Sequence, residues 1–154
     1  MSITDNQQSL VSPGGAENKI PKKILRHFYK AVKQACKSDV KKSNHGAIIL
    51  DKNNNLIGEG YNYYNKVYNN IKNYGYELHG SWTIHAEIMA IYDVHKKGYN
   101  CKKILPKCSI LVIRIPNYNI NPNEIGIEDC NNSYPCSECK SILEKWGINR
   151  IYTS

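Results

Sequence analysis

The chain has 154 residues, of which 41% are hydrophobic and 22% charged, the balance of one soluble globular domain with a sizeable core. No apolar run reaches the length of a membrane span, and the opening "MSITDNQQSL" has neither a basic start nor an apolar stretch, so the expectation is an intracellular, cytoplasmic protein with no membrane partner. The net charge of +8 is compatible with a phosphate-bearing partner, although only Arg26, Arg114 and Arg150 offer a guanidinium fork and a Lys-, Asn-, Ile- and Tyr-rich composition supplies positive charge by default.

Met1–Lys19 is polar, carries "SPGG", and reads as a flexible tail ahead of a domain over 20–154. From Pro21, Ile24, Phe28, Val32 (or Ala31) and Ala35 recur at helical spacing, which predicts a helix ending near Ser38. "HGAIILD" and "LIGEGYN" flank the turn cluster "KNNN" and predict a β-hairpin. A polar, tyrosine-rich segment follows and reads as a loop. A second helix is expected over about 83–97, with Ile84, Ile88, Ile91 and Tyr92 on its face and Gly98 as its stop. "CSILVIRI" is the most strand-like run, closed by Pro116. Beyond an Asn- and Pro-rich loop, a third helix starts at "PCSEC", carries Ile142, Leu143 and Trp146, and stops at Gly147. "INRIYTS" is a last short strand. Helices alternating with strands imply an α/β layered sheet.

Two motifs carry chemistry. His85-x-Glu87 and Pro135-Cys136-x-x-Cys139 each fall at a predicted helix start. One imidazole and two thiolates make a ligand set suited to zinc with an open fourth position. Cys136 and Cys139 lie about one helical turn apart, so both sulfurs can face one metal, and a helix N-terminus favours thiolate over thiol. Glu87 lies near that metal without being bound to it. There it can take a proton from water and hand it to a departing group. The spacing matches the general signature of zinc nucleobase deaminases. Cys36, Cys101, Cys108 and Cys130 show no second C-x-x-C and read as core or loop thiols.

With "HGAIILD", "GEGYN", "HAEIMAI" and "YPCSECKSILEKWGINRIYTS", the chain resembles the cytidine and deoxycytidylate deaminase superfamily over most of 22–154. The resemblance implies a three-layer α/β/α sheet with helices on both faces and a hairpin at its start. It implies zinc held by His85, Cys136 and Cys139, with Glu87 as the proton shuttle. It also implies that Asn62 hydrogen-bonds the substrate sugar, that Gly46 and Ala47 line the pocket floor, and that the Ala86 backbone N–H faces the base. The implied reaction is attack of activated water on C4 of cytosine, or C6 of adenine, with loss of ammonia. A homo-oligomer is implied as well. Against the family pattern, 63–84 and 116–133 are insertions expected to flank the site mouth. The fifth strand and final helix common in the family have no counterpart, which reads as a truncated C-terminus.

The substrate signals diverge. "HAEIMA" is similar to bacterial tRNA adenosine deaminases, but Tyr134 stands where those have Glu. "SYPCSEC" is similar to cytosine deaminases, including those acting on polynucleotides. Deoxycytidylate deaminases continue H-A-E with Gln-Asn, where this chain has Ile88-Met89. The favoured reading is a zinc-dependent deaminase of a cytosine nucleoside or nucleotide. A polynucleotide deaminase is the first alternative and a non-catalytic zinc module the second. Arg114, near the end of its strand, is a candidate phosphate contact or anchor for the insertion, against an ion pair with Glu124, Glu128 or Asp129. Tyr61, Tyr63, Tyr64, Tyr68, Tyr74 and Tyr76 are candidate base stackers against a solvated loop. His79 is a candidate second-site ligand. His27, His45 and His95 read as face or turn residues, and Trp82 and Trp146 as core anchors.

Overall fold

Pro21 starts the first helical turn, α1 (Lys22–Leu25), in the computed structural model, which describes residues 20–40, 43–64, 83–116 and 120–154. The tail at Met1–Lys19, His79, Trp82 and the tyrosines at 68, 74 and 76 lie outside the described residues. The single helix expected from Pro21 is two. At His27 (φ −94°, ψ 0°) the chain leaves helical geometry before α2 (Phe28–Cys36) begins. The break turns the His27 ring inward, to the backbone of Asn54. The apolar stripe survives it: Ile24, Ala31, Val32 and Ala35 are buried together.

Strands β1 (Asn44–Leu50) and β2 (Leu56–Tyr61) form the expected antiparallel hairpin. Its turn is built by Asp51, whose Oδ1 accepts from the N–H groups of Asn53 (2.8 Å) and Asn55 (2.9 Å). Next come the short strands β3 (Tyr63–Tyr64) and β4 (Thr83–Ile84), which pair with each other. Helix α3 (Ala86–Lys96) therefore starts three residues later than the sequence reading placed it. Thr83 and Ile84 lie in a strand because they close a two-stranded pair that their own side-chain periodicity does not reveal.

Two short pieces after α3 escaped the sequence reading: α4 (Cys101–Ile104) and a 3₁₀ turn at Leu105–Lys107. They lead into β5 (Ser109–Ile115), then a 3₁₀ turn at Ile127–Asp129, α5 (Ser137–Lys145) and β6 (Arg150–Thr153). Gly147, at φ 85°, ends α5. The Ile148 N–H then bonds the Leu143 carbonyl at 2.9 Å, closing the helix in a left-handed cap.

The main sheet has the order β2-β1-β5-β6, antiparallel except for the parallel pair β5–β6. Both of its faces are covered, as the continuous apolar runs of β1 and β5 require. On one face Ile48, Leu50, Leu111, Ile113 and Ile115 pack against α1 and α2. On the other, Ala47, Ile49, Ile110, Val112 and Ile151 pack against α3 and α5. The architecture is the expected three-layer α/β/α. After β5, Ile120, Ile125 and Ile127 pack on the α2-side core. Among the described residues no helix is long and apolar enough to cross a membrane.

Two glycines set how closely α3 lies on the sheet. A Cβ at Gly60 would meet the Ala90 nitrogen at 2.5 Å, the Met89 Cβ at 2.7 Å and the Ala86 oxygen at 2.8 Å. One at Gly58 would meet Val94 Cγ2 at 2.4 Å. Bare backbone on β2 lets the helix rest on the strand itself, and this contact delivers the N-terminus of α3 to the end of the sheet.

Candidate active site

The N-terminal ends of α3 and α5 meet at the carboxyl ends of β5 and β6, where ligands gather in open α/β sheets. His85 is the N-cap of α3 in extended conformation (φ −80°, ψ 151°), and Cys136 is the N-cap of α5. Cys136 thus stands one position outside the helical turn expected for it. Its sulfur accepts the Cys139 backbone N–H at 3.5 Å, an arrangement that favours thiolate.

The three donors converge. His85 Nδ1 is 3.1 Å from Cys139 Sγ and 3.6 Å from Cys136 Sγ. All three ligand atoms lie within 4.8 Å of one another. Tetrahedral zinc at ordinary N and S bond lengths separates such donors by about 3.5 Å, so the set fits the metal with little adjustment. Charge is arranged for it as well. Hydrogen bonds from the Cys139 thiol and the His85 ring bring the Cys136 thiol down to about 3, while the hydrogen bond to Cys136 and burial push the Cys139 thiol up. One sulfur is poised as thiolate and the other gives up its proton when a cation arrives. Cys130 is no part of this cluster: its thiol lies 3.7 Å from the Gly126 carbonyl.

Beside the donors is a cavity of about 240 Å³. His85, Cys136, Ala86 and Glu87 form one wall. Glu87, the second residue of α3, is 4% exposed, and its burial raises its carboxyl pKa above the ordinary range. A carboxylate so placed binds a proton more readily than one in water, which suits a group that must accept one and release it.

The remaining sequence candidates divide. Asn62 lines the cavity, but its carboxamide also clamps the start of β1: Oδ1 accepts the His45 N–H at 2.8 Å and Nδ2 donates to the Ser43 carbonyl at 2.6 Å. Gly46 and Ala47, expected at the pocket floor, adjoin the cavity-lining His45 along β1. Gly46 faces α2, where a Cβ would meet the Ala31 carbonyl oxygen at 2.1 Å, and Ala47 is wholly buried in the α3-side core. The alternation of β1 sends Gly46 toward α2 and Ala47 toward α3, the face that His45 also takes. Arg114 anchors the returning end of 116–133 through its backbone, its carbonyl accepting the Asn131 N–H at 2.8 Å.

Sequence reasoning missed His45. Its ring is on the cavity wall, and its β1 position pairs directly across the strands with Arg114. Burial, aided by the charges of Arg114 and His85, brings it down to about 4, so it is neutral near pH 7. A single imidazole at a strand start carries no spacing signal, and only the cross-strand register shows where it points. Ser133 was missed too. It lines the cavity, donates to the Val112 carbonyl at 2.6 Å and accepts the Ser154 N–H at 3.0 Å, tying the loop before Cys136 to β5.

Comparison with known proteins agrees with this geometry. The family model for the cytidine and deoxycytidylate deaminase zinc-binding region matches residues 21–154. No curated protein matches the chain in sequence. Among solved structures, cytidine deaminase from Mycobacterium tuberculosis is 17% identical, with 88% of this chain and 85% of that one covered and a TM-score of 0.51. The dCMP deaminase of cyanophage S-TIM5 is 14% identical, with 87% and 84% covered and a TM-score of 0.51. At such identities the likeness speaks for the fold, while the family match spans the whole described domain and both of its metal-binding helix starts. Together with a donor set that fits zinc, these findings place the chain in the cytidine and deoxycytidylate deaminase family.

Proposed function

We propose that the protein is a hydrolytic deaminase that converts a cytosine nucleoside or nucleotide to its uracil form with release of ammonia. The observation that carries this reading is Glu87: a buried carboxylate lining the same cavity as the metal donors His85 and Cys136. A zinc held only for stability needs no such group, and burying an idle carboxylate costs several kcal/mol of solvation in order-of-magnitude terms. Bound zinc lowers the pKa of water toward ~7 and so supplies a nucleophile at neutral pH. Glu87 would take the first proton of the attacking water as its oxygen bonds C4. It would pass that proton to N3 and then carry the second, from the new C4 hydroxyl, to the amine, so that the C4–N bond breaks and ammonia leaves as the C4 carbonyl forms. His85 and Cys136 line the cavity together with Glu87, and Asn62 and Ser43 line it as well. The family resemblance adds a homo-oligomeric assembly to this proposal, to be measured by light scattering.

The test is ammonia release by the zinc-loaded protein from an equimolar panel: cytidine, deoxycytidine, CMP, dCMP, adenosine, a C-containing single strand and a tRNA anticodon stem-loop. Release from a cytosine monomer, reduced roughly 10²- to 10⁴-fold or more in Glu87→Ala with zinc retained, is the expected result. Release from the polymers alone would replace the monomer substrate with a nucleic acid. Silence throughout would remove the catalytic reading.

A further inference from the structure

We propose that His45 is a substrate-reading residue of this site, its imidazole hydrogen-bonding an uncharged polar group of a bound nucleoside. The inference rests on the deaminase reading above and deepens it.

Three observations carry it. First, His45 is at the start of β1 on the face turned to α3, and its ring forms part of the cavity wall with His85, Glu87 and Cys136. Second, it is held from several sides. Asn62 accepts its backbone N–H at 2.8 Å, the Asn62 N–H donates to its carbonyl at 3.3 Å, and Ser43 Oγ is 3.3 Å from its Nδ1. A side chain fixed in this way is preorganised, so little freedom is lost when it meets a ligand. With Nδ1 engaged by Ser43, Nε2 is the ring atom left for that ligand. Third, its surroundings select the chemistry. Arg114 pairs with it across the strands, and no carboxylate hydrogen-bonds its ring among the described residues. Besides the metal donors and Glu87, the cavity lining is largely hydroxyl and amide: Ser43, Asn62, Thr83, Ser133 and Tyr134. An imidazole in such company can hydrogen-bond a neutral partner, and a nucleoside offers two, a base carbonyl and a sugar hydroxyl.

The experiment measures binding apart from turnover. The full-length, zinc-loaded Glu87→Ala protein serves as the non-reacting receptor, titrated calorimetrically with cytidine and with free cytosine. His45→Ala added to it should weaken cytidine binding by roughly 5- to 100-fold, the usual effect of removing one partner of a buried hydrogen bond. His45→Gln, which keeps a donor and an acceptor at similar reach, should recover part of the loss. Loss for cytidine alone assigns the contact to the sugar, and equal loss for cytosine assigns it to the base. In the active enzyme His45→Ala should raise KM with kcat held within a few-fold. Unchanged cytidine affinity in His45→Ala would overturn the proposal. So would a fall in zinc content in both His45 variants, because His45 would then support the metal site and not the substrate. If the Glu87→Ala receptor binds no nucleoside and the wild type releases ammonia from no member of the panel, the deaminase reading itself fails and this inference with it.

Discussion

Gly60→Ala tests whether the contact between β2 and α3 builds the site. The added Cβ would be 2.5 Å from the Ala90 nitrogen, about 0.9 Å short of the 3.4 Å at which ordinary van der Waals contact begins. The two other close neighbours, Met89 Cβ at 2.7 Å and the Ala86 oxygen at 2.8 Å, also belong to α3, so no flexible side-chain tip can give way. The helix must lift or tilt by something approaching 1 Å. Overpacking of this kind costs about 1–3 kcal/mol, or roughly 2–12 °C in Tm for a domain of this size. The chemistry should suffer more than the fold. Ala86 is the first residue of α3, between His85 and Glu87, and metal sites tolerate ligand shifts of only about 0.2 Å. Zinc affinity should therefore fall, and turnover should drop by about 10²-fold, the usual penalty for a reacting group misplaced by about 1 Å. Thermal unfolding, zinc titration with a competing chelator and ammonia release would be measured on one preparation. A Gly60→Ala protein with wild-type zinc affinity and turnover would refute the reasoning, since α3 would have been free to sit elsewhere without consequence.

Two further outcomes are expected. Removing zinc by chelation should lower Tm, because the metal ties the starts of α3 and α5 together, and an occupied site at 100 times its Kd contributes about 2.7 kcal/mol. Cys139→Ala should behave like the chelated wild type, and an unchanged Tm on chelation would count against a metal at these donors. Stability should also fall in mild acid through His45. Its folded pKa of about 4 lies below the unfolded 6.5, so the unfolded chain binds the extra proton between those values, and stability is lost as pH drops from about 6.5 toward 4. Between about pH 7.5 and pH 5 the loss is on the order of 1–2 kcal/mol, allowing for partial solvent screening. Urea unfolding of wild type and His45→Gln at both pH values isolates it, and identical pH dependence in the two proteins would show that the ring is not held neutral.

The metal donor set of this protein was legible in one dimension. Metal ligands of fixed spacing at helix starts are a local property, so His85, Glu87, Cys136 and Cys139 could be named from "HAE" and "PCSEC" alone. The three-layer fold was legible for a similar reason, because the apolar runs of β1 and β5 need cover on both faces. What the sequence could not show were relations between distant segments. Thr83 and Ile84 became a strand because they meet Tyr63 and Tyr64. Gly46 turned toward α2 because of strand alternation against a particular helix. Gly58 and Gly60 acquired their purpose only when α3 lay on them. His45 had no signal of its own, and became part of the cavity wall through the register that sets it opposite Arg114 and under the Asn62 clamp. Residue type decided which atoms could hold a metal and move a proton. Pairing register and helix–sheet approach, which depend on contacts between segments far apart in the chain, decided which other side chains face the space where a substrate would lie.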